Sequence, residues 1–477
     1  MCKRCVDDGN LHKIGVMFKN DMNRTLKQLL SGEHRAYIVG GSVRDMILNL
    51  SPTDYDLVVP DDPAVFSDRI SKKISGRVVR LGKPGKPLFR IISSKITLDV
   101  SGFKGSSIRE DLLQRDFTVN AMAYDPSRNE LIDPCGGQED LFSGLIRMVS
   151  DTAFQNDPIR LIRAYRLAAT LSFRIDEKTQ RAIRKQASLI RAAAGERVRE
   201  ELIRLLESPS SSRHIDRMEA SGLLFSIFPE LSGFKGSVDG PGAEPGFNSP
   251  WNRFRKGYCH LETLLNASDS IRTATDCFHP ALLKLAFLLH DIGNPSTPFG
   301  NGNEGDRPGE KRAGKADEIC RRLRLSNRER KFVSEVISYH REPFSLFLAH
   351  RKRTLTARNT VIFFMACGDT TPAILLHALA EFRKEEQPAA EGVFDAFIRI
   401  LSDRFFGQFQ PERKAPPLLT GDDLIRAFGL ASSPLIGLLL DRIEEARLAH
   451  EVSTRGGALS LAEKILSEEL DNPPSFQ

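Results

Sequence analysis

No run of about eighteen apolar residues occurs in this 477-residue sequence, so no membrane-spanning helix is expected. The opening Met1-Cys2-Lys3-Arg4-Cys5-Val6-Asp7-Asp8 lacks an apolar signal core, which predicts that the chain is not secreted. Cysteine is sparse. The seven present are odd in number and scattered, which argues against a disulfide framework and for reduced thiols in a cytoplasm. Cys2 and Cys5 form a lone CxxC without a second pair, which reads as a frayed terminus before it reads as a zinc site. There is no internal repeat and no strongly basic tail, and a net charge of +6 is mild for this length. What is present suffices for folding: 40% apolar and 27% charged residues predict about three globular domains, neither disordered nor fibrous.

The charge is unevenly placed. Between Gln155 and Leu206 there are twelve Lys and Arg against six Asp and Glu, a net of +6 equal to that of the whole chain. These arginines lie in helical-looking sequence, where they suit either the phosphates of a nucleic acid or a solvated helix face.

Residues 24 to about 145 alternate short β-type runs with helical ones. Tyr37–Val39, Tyr55–Val59, Val78–Leu81, Phe89–Ile92 and Ile96–Val100 read as strands, and Thr25–Leu30 and Val43–Leu50 as helices. From Pro158 onward the pattern is almost wholly helical, with no convincing strand pair. Gly- and Pro-rich stretches at 232–250 and 294–309 read as loops or linkers, and a further break at 408–417 isolates a C-terminal helical piece. The expected division is an extension over 1–23, an α/β head over 24–145, a helical neck over 146–231, a linker over 232–250, a helical domain over 251–381 and a helical tail over 382–477.

Two local patterns carry chemistry. Tyr37-Ile38-Val39-Gly40-Gly41-Ser42-Val43-Arg44-Asp45 passes from strand through two glycines into a helix, where the backbone can approach a phosphate and Arg44 can add charge. A plain tight turn reads the same way. Asp54-Tyr55-Asp56 then places two carboxylates on one face of a strand, with Tyr55 and Leu57 on the other. Asp99, alternating with Leu98 and Val100, can face the same side. Mg²⁺ suits such a row, being bound by one or two carboxylates plus substrate phosphates, and two ions on three carboxylates suit phosphoryl transfer. The plainer reading is a set of polar outer positions on half-exposed strands.

The stretch Val39 to Asp45 followed by Asp54-Tyr55-Asp56 resembles the first motif of class II tRNA nucleotidyltransferases and bacterial poly(A) polymerases. Further matches are Gln114-Arg115-Asp116-Phe117-Thr118-Val119-Asn120-Ala121, where Gln114 replaces a usual Arg; Asp133-Pro134, Gly136-Gly137 and Asp140-Leu141; and Asn156-Asp157-Pro158-Ile159-Arg160-Leu161-Ile162-Arg163-Ala164-Tyr165-Arg166, where Asn156 replaces an acid. The resemblance implies an α/β head of the DNA polymerase beta nucleotidyltransferase type followed by an all-α body. It implies Asp54, Asp56 and Asp99 as ligands of two Mg²⁺ ions, and Gly40, Gly41 and Arg44 at the triphosphate. Arg115, Asp116 and Asn120 would hold phosphates and ribose, with Arg163 and Arg166 in the same nucleotide-binding motif. Asp157 and Arg160, three residues apart, would offer one acceptor and donors to the edge of C or A and so replace a template. Asp157 before Pro158 also reads as an ordinary helix N-cap.

The body resembles the HD family of metal-dependent phosphohydrolases at Cys259-His260-Leu261-Glu262, His290-Asp291, His340 and Cys367-Gly368-Asp369. His260, His290, Asp291 and Asp369 match its ligand set, suited to a transition metal. Asn294 stands in place of a usual Lys, and Glu310 stands where a Gly-His-Glu motif normally has its His; a decayed domain kept for packing or RNA contact is the alternative. Together these imply a cytoplasmic, template-independent tRNA 3′-end nucleotidyltransferase using CTP and ATP on the tRNA acceptor end, as a CCA-adding enzyme or a CC- or A-adding specialist. The alternatives are a poly(A) polymerase, an HD-type phosphohydrolase, or an RNA-binding protein with an inactive head.

Overall fold

The computed structural model describes residues 29–30, 36–50, 52, 54–83, 86–94, 96–234, 250–267, 278–292, 308–382, 388–431 and 433–471. The Cys2/Cys5 pair, the N-terminal extension, Asn294 and most of the two Gly/Pro-rich stretches lie outside the described residues. The chain divides into two compact units, residues up to 208 with 213–227, and residues 209–212 with 228 onward.

The first unit is built on a seven-stranded sheet. Its strands are β1 (Tyr37–Val39), β2 (Asp54–Val59), β3 (Arg77–Lys83), β4 (Lys86–Ile92), β5 (Thr97–Gly102), β6 (Ala123–Asp125) and β7 (Glu130–Ile132), in the order β3-β4-β5-β2-β1-β6-β7. Only β2 and β5 run parallel; the other neighbours are antiparallel. β2 reads Asp-Tyr-Asp-Leu-Val-Val, and its two carboxylates face outward while Tyr55 and Leu57 are buried, as side-chain alternation requires. The helices α1 (Gly41–Ile47), α2 (Pro63–Ile74), α3 (Ile108–Leu113) and α4 (Gly137–Phe142) belong to the same unit. α2 opens on Asp62, whose carboxylate accepts from the Ala64 N–H, with Pro63 at its first position.

Two features depart from the sequence reading. The head has two further strands, β6 and β7, each only three residues long. Arg174–Ile175, in sequence read as helical, is a strand (β9) that pairs in parallel with β8 (Leu145–Ile146). The neck comprises α5 (Ala153–Asn156), α6 (Arg160–Leu171), α7 (Glu177–Gln186), α8 (Gly195–Glu207), α9 (Ser211–Ala220) and α10 (Leu223–Ile227). α6 buries Leu161, Ile162, Ala164, Tyr165, Leu167 and Ala168, so it is a core helix and packs on α8.

The second unit is helical throughout its described residues: α11 (Pro250–Asn266), α12 (Pro280–Leu289), α13 (Pro308–Arg322), α14 (Asn327–Tyr339), α15 (Glu342–Arg351), α16 (Ala357–Cys367), α17 (Thr371–Phe382), α18 (Pro388–Arg404), α19 (Gln410–Arg413), α20 (Gly421–Phe428), α21 (Pro434–Leu448) and α22 (Arg455–Asp471). Ser326, Thr356 and Thr420 each close a capping box at a helix start. The stretch Ala357–Phe382 has the length and apolar content of a bilayer span, yet it is mostly buried, and a 3-10 turn at Gly368–Thr370 divides it. It is the core of the helical body. α20, α21 and α22 close around their own apolar core of Leu424, Leu439, Ile443, Ala458 and Ala462.

Candidate active site and a second histidine cluster

The glycine turn and the carboxylates are locked together locally. Gly40 caps α1 with φ +71°, a conformation that favours glycine. A Cβ there would stand 2.9 Å from an Arg115 guanidinium nitrogen and 3.4 Å from the Asp56 carboxylate. Ser42, the second residue of α1, donates to the Asp54 carbonyl at 3.2 Å and accepts from the Asp56 N–H at 3.1 Å. It pins the turn to β2, and the sequence reading passed over it, although its place between Gly41 and Val43 in the motif was the available signal.

The register then sets the row of acids. Asp56 on β2 lies directly opposite Asp99 on β5, and Asp54 opposite Thr97. Desolvation, with Asp99 and Asp54 adding like charge, raises the Asp56 pKa against the opposing pull of Arg115 and Arg90. Such a row of outward carboxylates fits a hard divalent cation, whose charge would relieve the repulsion. Arg90 on β4 donates through Nε and Nη2 to the two oxygens of Asp99, both at 2.7 Å.

A chain of hydrogen bonds runs from the turn into the neck. Arg44 donates to Asn120 Oδ1 at 2.8 Å, Asn120 donates to Asp116 Oδ1 at 3.2 Å, and Arg163 donates to Asp116 Oδ2 at 3.2 Å. Arg163 and Arg166 both donate to Glu201 on α8, at 2.7 and 2.6 Å. Burial pushes Asp116 up, but Arg163, the Phe117 N–H and Asn120 outweigh it and hold the carboxyl below its usual range. Arg115 is held by Asp111 at 3.0 Å.

The side chains of Asp157 and Arg160 do not hydrogen-bond to each other; the bond between the two residues is a backbone one, from the Arg160 N–H to the Asp157 carbonyl at 3.1 Å. Asp157 accepts both Nη donors of Arg197, at 2.9 and 2.8 Å, while buried Arg160 donates to the carbonyls of Gln114, Arg115 and Ala153. Asp157 is not the N-cap of α6 either; Ile159 holds that place and no side chain caps it. Ion pairing to Arg197 outweighs desolvation and lowers the Asp157 pKa.

In the second unit His290, Asp291 and Glu381 bring their ligand atoms within 4.8 Å of one another. His340 Nε2 and His377 Nδ1 come within 3.9 and 3.8 Å of Glu381, and all three imidazoles are buried. Burial opposes protonation of His290, but Asp291 and Glu381 push its pKa up to about 9, whereas burial pulls His340 down to about 4. Of the expected set, His290 and Asp291 belong to this group; its third member is Glu381, and exposed Asp369 and half-buried His260 are not among it. The missed signal was His377 and Glu381, four residues apart in the otherwise apolar α17, and hence on one face.

Comparison with known proteins places this geometry. Residues 36–147 match the poly A polymerase head domain, and residues 172–234 match the probable RNA and SrmB-binding site of polymerase A. The A-adding tRNA nucleotidyltransferase of Deinococcus radiodurans is 30% identical over 445 residues, covering 91% of this chain and 96% of the relative. The chain belongs to the tRNA nucleotidyltransferase and poly(A) polymerase family. A CC-adding tRNA nucleotidyltransferase of Synechocystis is 28% identical, covering 90% of this chain and 94% of the relative. The Thermotoga maritima CCA-adding enzyme, solved with tRNA, shares the fold at a TM-score of 0.62 and 20% identity, covering 95% of this chain and 98% of that one. The α/β head on a helical body is the architecture of this nucleotidyltransferase family. Its members are enzymes that depend on a divalent metal.

Proposed function

We propose that this nucleotidyltransferase adds C and A, from CTP and ATP, to the 3′ end of tRNA in the cytoplasm, as a CCA-adding enzyme or as a CC- or A-adding specialist. The observation that carries the reading is the cross-strand row of Asp56 and Asp99 beside Asp54, locked by Ser42 to the Gly40-Gly41 turn. Asp54, Asp56 and Asp99 would hold Mg²⁺, which supplies charge neutralisation at the reacting phosphate and acidifies the RNA hydroxyl. The remaining work falls to the chain's own groups. Gly40 lets the backbone close on the triphosphate without a Cβ in the way, and Arg44 adds positive charge beside it. Arg115, Asp116 and Asn120 form a tethered surface for phosphates and ribose. Asp157 would accept from the amino group of C or A and Arg160 would donate to the same edge, once they leave the partners they hold here, Arg197 and the carbonyls of Gln114, Arg115 and Ala153. The basic neck grips acceptor-stem phosphates by shape and charge rather than by sequence. The relatives' division into A-adding and CC-adding enzymes supports a terminal-addition role over poly(A) synthesis.

The test presents purified protein with tRNA ending before CCA, in CC, or in CCA, together with labelled CTP or ATP. Addition of three residues followed by arrest fits the CCA role; addition of A alone to the CC form, or of two Cs alone, fits a specialist. Long A tracts, or full incorporation by Asp56→Asn, would overturn the reading.

A second reading is favoured by the histidine cluster. We propose a transition-metal site at His290, Asp291 and Glu381, with His340 and His377 beside it, serving a phosphohydrolase of the HD type. Hydrolysis of a 2′,3′-cyclic nucleotide to its ring-opened monophosphate, lost in His290→Ala and Glu381→Gln, would support it; ring opening unchanged in both would remove it. We also propose the finer division of the chain into head (24–145), neck (146–231), linker (232–250), HD-like domain (251–381) and tail (382–477); limited proteolysis yielding stable fragments with those ends checks it.

A further inference from the structure

Arg90 stands in the catalytic row but belongs to none of the motifs that mark the family resemblance. It lies on β4 directly opposite Asp99 on β5, and Asp99 lies directly opposite Asp56 on β2. The three side chains therefore follow one another across a single face of the sheet. The Arg90 fork takes one position on each Asp99 oxygen, both at 2.7 Å. A carboxylate offers about four lone-pair sites, so about two remain outward, fixed in plane and direction by the grip. Arg90 also interacts electrostatically with Asp54 and Asp56. A half-exposed ion pair of this kind contributes little to stability alone, so its place beside three like charges calls for another role.

We propose that Arg90 is a positioning residue for nucleotidyl transfer: its two-pronged grip orients the Asp99 carboxylate, and its charge holds the row of acids together before a divalent ion binds. The inference rests on the reading of Asp54, Asp56 and Asp99 as the cation site. It has a counterintuitive consequence. Because Arg90 repels the ion that the acids attract, removing it strengthens ion binding while weakening catalysis.

Two substitutions separate charge from grip. Arg90→Met removes both; Arg90→Lys keeps the charge but loses the planar fork. Mn²⁺ binding to the nucleotide-free full chain is followed by the electron paramagnetic resonance of free ion, in a His290→Ala background that silences the second candidate site. Steady-state incorporation into tRNA is measured alongside, with kcat and KM separated. Arg90→Met is expected to bind Mn²⁺ on the order of fivefold more tightly, because one positive charge that opposes a divalent ion at the acids is removed. Its kcat is expected to fall at least tenfold with KM for tRNA unchanged. Arg90→Lys is expected to keep the parental Mn²⁺ affinity and lose kcat comparably. Unchanged Mn²⁺ affinity in Arg90→Met overturns the charge role, and normal kcat in Arg90→Lys overturns the grip. Should Arg90→Met fail to fold, Arg90→Gln carries the same comparison. If Asp56→Asn binds Mn²⁺ as tightly as its parent, the cation-site reading itself fails, an outcome distinct from either.

Discussion

Replacing Glu201 by alanine tests whether the neck braces the nucleotide-binding face of the head. The Glu201 side chain is 8% exposed and accepts from Arg163 and Arg166, whose side chains are 28% and 16% exposed. Each charge-assisted hydrogen bond removed between buried partners costs about 1.5–3 kcal/mol, and stranding a buried charge costs about 3–5 kcal/mol. Arg163 keeps Asp116 as a partner at 3.2 Å, so the full penalty does not fall on it. Arg166 has no other ion pair recorded within the described residues. The expected loss is therefore about 3 kcal/mol, equivalent to a fall of roughly 6–12 °C in the melting temperature of a unit this size. A functional effect should accompany it. Arg163 holds Asp116, Asp116 holds Asn120, and Asn120 holds Arg44, so loosening Arg163 should raise KM for the nucleotide at permissive temperature while leaving Mn²⁺ binding at the acids unchanged. Differential scanning calorimetry and steady-state kinetics below the transition provide both readouts. A melting temperature within 2 °C of the parent, with nucleotide KM unmoved, would refute the brace.

Gly40→Ala should cost about 1–3 kcal/mol from the positive-φ backbone alone, and the added Cβ should push on an Arg115 already tied to Asp111, so transfer should fall more than stability does; equal incorporation by the variant counts against the phosphate role. The metal-free helical body should be most stable near pH 6.5. Its His340, depressed to about 4, gives stability that is lost as pH falls from about 6.5 through about 4. Its His290, raised to about 9, gives stability that is lost as pH rises from about 6.5 through about 9. Chemical denaturation across pH 4–10 reads both limbs, and His340→Gln should flatten the acid limb alone.

The legible parts of the molecule were those written in local pattern. The two-residue alternation of Asp54-Tyr55-Asp56 and of Leu98-Asp99-Val100 foretold which faces carry the acids, because a strand has no freedom to do otherwise once Tyr55 and Leu98 are buried. β6 (Ala-Tyr-Asp) and β7 (Glu-Leu-Ile) escaped because neither short run is as rich in strand-favouring residues as Tyr37-Ile38-Val39, which was legible at the same length. Partner choice was illegible for the same reason that it is informative: Arg160 could not be seen to point at backbone carbonyls, nor Arg197 to reach Asp157 across 40 residues, since neither contact leaves a periodic trace. Asp369 entered the metal reading through the resemblance of Cys367-Gly368-Asp369 to the HD family's ligand pattern. Glu381, inside an apolar helix where an unpaired acid would be costly, was the stronger signal on physical grounds.

The one parallel pairing in the sheet has a consequence for synthesis and refolding. β2 and β5 meet only after α2 and the whole β3–β4 hairpin have been laid down between them. Asp56 thus waits for its neighbour through a long loop closure, and a nascent or truncated chain lacking β5 holds half a constellation. The emergence of nucleotidyl transfer during refolding should therefore lag behind helix formation and keep time with the slowest non-local step, making the reaction itself a clock for closure of the sheet.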